Sequence, residues 1–177
     1  MVHDALKSTP LFDKKQPPAT RKTDPPTSRM AEKQITESGQ RDTQCRQVFA
    51  ALQRHEGRTS RELADIGDLD RYMVARRLPD LDQRQGLVIQ AESRYCALTK
   101  SQCVTWYTKK FLIENWNDFS LKGRINLIKR LGDEVHDYYT QRGYAYSCMH
   151  CQVYFKEKPA DNCPECGHRH IASPYEC

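Results

Sequence analysis

The chain has no long apolar run. Its N-terminal segment, MVHDALKSTPLFDKK, lacks the hydrophobic core of a secretory signal, and no stretch of the 177 residues approaches the ~20 apolar residues that cross a bilayer. A Walker loop, a nucleophile elbow, an HExxH motif and a paired-carboxylate constellation are also missing. These gaps predict a soluble, cytoplasmic protein that is not an enzyme and has no membrane partner. A mean hydropathy of −0.83 and a charged fraction of 29% favour two small domains joined by a linker over one medium domain. The net charge of +5 is a mild bias towards polyanions, because both signs are abundant.

Cysteine is plentiful, with eight residues. Without a signal segment, and with four of the eight paired as CxxC, metal binding is favoured over disulfides. The pattern is Cys148-Met149-His150-Cys151, eleven residues, then Cys163-Pro164-Glu165-Cys166-Gly167. Each CxxC places two thiolates at the tip of a tight turn, and two facing turns complete the closed tetrahedral shell that Zn²⁺ prefers. Pro164 pre-sets its turn, and Gly167 permits the backbone to curl so that amides approach the sulfurs. The pattern resembles a zinc ribbon, with one structural zinc ion and with Tyr154 and Phe155 as apolar cover. Four thiolates leave no coordination position open, so a catalytic zinc is not expected. Iron of the rubredoxin type uses the same donors and stays open as an alternative. A thioredoxin-like pair needs a βαβ context, and c-type haem attachment needs His where Gln152 stands. His150, His168 and His170 are expected on the surface. Metal binding is expected to supply on the order of 10 kcal/mol to the folding of so small a module. Cys45 and Cys96 are expected as small buried apolar groups, and Cys177 as a free thiol.

The rest of the chain divides by composition and periodicity. Residues 1–26, with five prolines, are expected as a disordered tail. Residues 27–39 offer a marginal helix, and residues 43–55 a clearer one with Cys45, Val48, Phe49 and Leu52 on one stripe and Gly57 closing it. Thr59 and Glu62 form a capping box. The helix that it starts buries Leu63, Ala64 and Ile66 and ends at Gly67. In the next segment Val74, Leu78 and Leu81 face inward, and Tyr72, Arg76 and Gln83 outward. Pro79 should kink or break that helix near Leu78. Residues 87–90 and 94–98 are β-prone runs separated by Ala91-Glu92-Ser93, as in a hairpin wing, and residues 104–107 add a strand. A helical connector over 108–143 contains helices at 108–116 and 120–140. The second has Leu121, Ile125, Ile128, Leu131, Val135 and Tyr138 on one stripe, for packing or for pairing with a second copy. Residues 144–177 are the ribbon. The expected fold class is mostly α with small β elements.

Residues 59–63, Val74-Ala75-Arg76-Arg77-Leu78, Leu81 and Gly86-Leu87-Val88 carry a second resemblance. Over residues 44–106 the chain is similar to the winged helix-turn-helix domains of bacterial regulators and bacteriophage proteins. Asp24-Pro25-Pro26-Thr27-Ser28 resembles a lead-in of the phage versions. The resemblance implies a third helix in the major groove of double-stranded DNA and a wing on the backbone or minor groove. It implies Arg76 at a base edge, Arg71 and Tyr72 beside it, Arg58, Arg61 and Arg77 on phosphates, and Arg94 on the wing. Intrahelical pairs of Arg76 with Asp80 and of Arg61 with Asp65 are the competing structural reading. Asp68, Asp70, Asp80 and Asp82 would repel phosphate, and a homodimer through the 120–140 helix would compensate. The expected function is DNA-binding transcription regulation. The alternative is a protein adaptor, since the ribbon sets Lys156, Lys158 and Arg169 against Glu157, Asp161, Glu165 and Glu176. That balance suits a protein partner better than phosphate.

Overall fold

The computed structural model describes Thr23, residues 25–169 and residues 171–173. The expected tail over 1–26, apart from Thr23, Pro25 and Pro26, lies outside the described residues, as do His170 and Cys177. The fold is mixed α and β, in two compact units, Met1–Thr108 and Lys109–Cys177. No helix among the described residues is long and apolar enough to cross a membrane.

The first unit contains α1 (Pro26–Glu37), α2 (Gln40–Arg54), α3 (Ser60–Ile66), α4 (Arg71–Gln83) and an antiparallel hairpin of β1 (Val88–Tyr95) and β2 (Gln102–Thr108). Its core is the meeting of three helical stripes with the hairpin: Cys45, Val48 and Leu52 from α2, Leu63 from α3, Val74, Leu78 and Leu81 from α4, then Val88 and Trp106. Burial pushes the Cys45 thiol up to about 11, in keeping with its place as a small apolar group; Cys96 is buried too. The capping box forms at α3, with the Glu62 N–H donating to Thr59 Oγ1 and the Thr59 N–H to Glu62 Oε2. Gly67 ends α3 for a reason other than a left-handed backbone. Its φ is −84°, and a Cβ there would lie 2.9 Å from the Leu63 carbonyl oxygen. The left-handed residue is the next one, Asp68, at φ 49°.

Two local expectations are corrected. First, α4 runs on through Pro79 to Gln83. The missing amide costs about 3 kcal/mol in a helix interior, but the residue after it is tied down. Asp80 accepts from Arg41 of α2 at 2.8 and 3.1 Å and from Arg77 at 2.6 Å, and it pairs with Arg84 at 3.3 Å. Second, Ala91-Glu92-Ser93 is a bulge within one continuous strand. Gln90 pairs with Trp106 and Ser93 with Val104, so Ala91 and Glu92 together face Thr105. That trio has no Gly, Pro or Asn to reverse the chain. The reversal comes at residues 96–101, where the Lys100 N–H donates to the Cys96 carbonyl at 3.0 Å and Lys100 takes φ 56°.

The second unit holds α5 (Lys109–Glu114), a 3-10 turn (Trp116–Asp118), α6 (Leu121–Gln141) and a three-stranded antiparallel sheet ordered β4 (Tyr154–Phe155), β3 (Tyr146–Cys148), β5 (Ile171–Ala172). Ser120 caps α6 by accepting from the Gly123 N–H at 3.0 Å. The buried face of α6 is Gly123, Arg124, Leu127, Leu131, Val135 and Tyr139. The stripe expected from apolar periodicity is rotated from this. Leu121 and Ile125 are exposed, and Tyr139 takes the inward place assigned to Tyr138.

Candidate metal centre and outer face of helix α4

The four cysteines of the two CxxC motifs converge. The sulfurs of Cys148, Cys151, Cys163 and Cys166 all lie within 4.8 Å of one another. Cys151 and Cys163 are 3.4 Å apart, and Cys148 and Cys166 3.6 Å. A tetrahedral Zn–thiolate site with ~2.3 Å bonds has edges of ~3.8 Å, so the donor set fits a single metal ion of that size.

Both turns share one backbone pattern. The Cys148 N–H donates to the Val153 carbonyl at 2.9 Å, and the Gln152 N–H to the Cys148 carbonyl at 2.9 Å. In the second turn Cys163 donates to the His168 carbonyl, and Gly167 to the Cys163 carbonyl, both at 2.8 Å. The residue four past the first cysteine is left-handed in each, Gln152 at φ 58° and Gly167 at φ 72°. Gly167 meets that requirement without a Cβ penalty, and Gln152 meets it against one. Burial pushes the Cys151 and Cys163 thiols up. At Cys148 the upward push of burial is outweighed by the N–H groups of Cys151 and His150 aimed at its sulfur.

The helices support the first turn through side chains that the spacing of cysteines did not point to. Trp116 Nε1 donates to the Gln152 carbonyl at 2.7 Å. Asn117 donates to the Tyr154 carbonyl at 3.0 Å and accepts from the Tyr154 N–H at 3.1 Å. Arg124, 3% exposed, donates from Nε to the Cys151 carbonyl at 2.7 Å and from Nη1 to the carbonyls of Asn117 and Phe119. These bonds cross the boundary that the sequence suggests between a connector over 108–143 and a ribbon over 144–177. The only signal for them is the buried charge itself, which a search for apolar periodicity passes over. His150 and His168 are exposed, with their rings stacked at 4.1 Å.

In the first unit, the outer face of α4 presents Arg71, Tyr72 and Arg76. All three are exposed, Tyr72 to 66%, and the Arg71 guanidinium lies 5.6 Å from the Tyr72 ring centre. Arg76 has no hydrogen bond or ion pair among the described residues; Asp80, its expected intrahelical partner, is occupied by Arg41, Arg77 and Arg84. Asp70 caps the helix, accepting from the Met73 N–H at 2.7 Å. Arg58 is exposed, Arg61 half-buried, and the Arg58 backbone bridges Trp106 of β2.

Arg77 and Arg94 are engaged by acceptors of the protein itself, Arg77 nearly buried and Arg94 with its side chain 39% exposed. Arg77 donates to Gln44 at 3.0 Å as well as to Asp80. Arg94 lies on β1 opposite Cys103 and reaches back to α3, where it grips both oxygens of Glu62 and the Gly57 carbonyl. The Ala97 N–H adds to that grip at 2.7 Å. The Arg94 guanidinium holds the Glu62 carboxyl down to about 2 against the effect of burial.

No protein-family model matches the chain, and no curated protein matches it.

Proposed function

We propose that the first unit is a winged helix-turn-helix domain that binds double-stranded DNA with the outer face of α4, as a transcriptional regulator of phage or bacterial type. The observation that carries this reading is the trio Arg71, Tyr72 and Arg76, exposed on the first two turns of α4, with Arg76 in no ion pair among the described residues. A guanidinium in that position can bond bidentately to the guanine edge in a major groove. Arg58 and Arg61, at the start of α3, suit phosphates. Arg77 and Arg94 act by holding the face in place: Arg77 ties α4 to α2, and Arg94 ties the hairpin to α3.

The four-cysteine cluster is proposed to hold one structural Zn²⁺ as a zinc ribbon. Cys148, Cys151, Cys163 and Cys166 would hold the ion, which would join the two turns. A second copy is proposed to join through the exposed side of α6, where Ile125 is 47% exposed and Leu121 lies beside it. Two copies of the α4 face on one duplex would multiply binding. The ribbon, with its near balance of charge, is proposed to meet a protein partner rather than phosphate.

The test is a mobility-shift titration of the full zinc-loaded chain against random duplex at two salt concentrations. Binding at low salt that weakens steeply at high salt, and weakens further with Arg71→Ala and Arg76→Ala, is the expected result. No complex at low salt, or a complex indifferent to both substitutions, turns the reading to the adaptor.

A further inference from the structure

The two halves of the metal centre are held differently. The first turn, with the strand that follows it, hangs on the helices by backbone bonds at three successive places: Cys151 to Arg124, Gln152 to Trp116, and Tyr154 to Asn117 at both N–H and carbonyl. Among the described residues, positions 163–169 make no hydrogen bond to α5, the 3-10 turn or α6. Their bonds are those of their own turn, the contact between sulfurs, the ring stack of His168 on His150 and the Ile171 N–H donating to the Arg169 carbonyl at 3.1 Å. Beyond them the short β5 pairs with β3.

Charge separates the halves further. Arg124 is buried, and the hydrogen bonds of its guanidinium all go to carbonyl oxygens rather than to a carboxylate. A buried cation needs a counter-charge, and carbonyl dipoles supply only part of one. Four thiolates around a divalent ion carry two net negative charges. The Cys151 carbonyl that Arg124 holds belongs to one of the four ligands.

We infer that Arg124 is the counter-charge and positioning residue of the metal centre, and that the centre assembles in halves: the Cys148–Cys151 pair stands preformed on the helices, and the metal captures Cys163 and Cys166. This rests on the reading of the cluster as a metal site and is independent of DNA binding. It assigns to metal loss a defined consequence, which is release of the second turn ahead of the helical pair.

The first experiment needs no variant. The full chain, stripped of metal under reducing conditions, is pulsed with an alkylating reagent, and each cysteine is followed by mass spectrometry. Cys163 and Cys166 should be labelled at least ten-fold faster than Cys148 and Cys151, and saturating Zn²⁺ should protect all four. Equal labelling of the four in the stripped chain overturns assembly in halves. Labelling as fast with saturating Zn²⁺ as without it overturns the metal site itself, so the two failures are distinguishable.

The second experiment tests Arg124 by competing the full chain for Zn²⁺ against a chromophoric chelator. Arg124→Met should lower the affinity ten-fold or more, and Arg124→Lys should recover most of the loss by restoring the charge without the planar fork. Helix content at saturating Zn²⁺, read by circular dichroism, should match the native chain for both. Zinc affinity unchanged by Arg124→Met, or no better with lysine than with methionine, overturns the counter-charge role.

Discussion

Glu62 is 3% exposed, and it keeps its charge there because Arg94 grips both of its oxygens and the N–H groups of Thr59 and Ala97 add to the grip. Its carboxyl is lowered from 4.5 to about 2, chiefly by the Arg94 hydrogen bonds. A carboxyl lowered on folding stabilises the folded state above its unfolded value. This contribution, roughly 3 kcal/mol, is therefore fully present above pH 4.5 and is lost as the pH falls towards 2. Arg94→Ala should cost about 3 kcal/mol at pH 7, since it strands a buried carboxylate. Urea denaturation at a series of pH values should show that difference shrinking below pH 4.5; a difference independent of pH would dissociate Arg94 from Glu62. Gln152 carries the opposite kind of strain. Gln152→Gly should raise the stability of the metal-loaded second unit by up to ~1 kcal/mol by relieving a left-handed non-glycine residue, and Gly167→Ala should lower it by ~1–2 kcal/mol. Thermal denaturation of the metal-loaded chain measures both. The requirement at Gly167 was legible in the CPxCG pattern. The same requirement at Gln152 shows only when the two turns are superposed on their cysteines.

At the scale of elements, what could be seen in the sequence was what depends on near neighbours. The Thr59 and Glu62 capping box, the inward set Val74, Leu78 and Leu81, and the long helix over 120–140 all rest on spacings of three or four residues, and all stand in the structure, the last as Leu121–Gln141. What was missed depends on partners far along the chain. Pro79 lies within a continuous α4 where Asp80 is anchored by Arg41, 39 residues away. The buried face of α6 includes Arg124, whose acceptor Cys151 is 27 residues on, so apolar periodicity chose a stripe rotated from the true one. The bulge at Ala91 and Glu92 looks in the sequence like a break between strands, and only the pairing with Trp106 and Val104 fixes the register. Two substitutions separate the local cost from its long-range offset. Pro79→Ala should stabilise by ~1 kcal/mol or more by restoring the amide. Asp80→Ala should destabilise by roughly 3–5 kcal/mol by removing the acceptor that Arg41, Arg77 and Arg84 share. Denaturant titration gives both values, and a neutral Asp80→Ala would remove the anchor from the account of α4.

For the whole molecule, there are two compact units, one with Arg71, Tyr72 and Arg76 exposed on α4 and the other with a four-cysteine cluster that could hold a metal ion. Chelation of the loaded chain should lower the melting temperature of the second unit, by releasing the second turn while α5 and α6 stay folded, and leave the transition of the first in place. One shared transition, lost as a whole on chelation, would contradict the division. The central claim is that α4 reads duplex DNA through Arg76, and selection of bound sequences from a random duplex pool tests it most directly. The native chain should enrich a motif with a preferred guanine at one position, and Arg76→Ala should lose preference at that position while keeping the rest. A pool that remains random with the native chain, or a motif unchanged by Arg76→Ala, would contradict it.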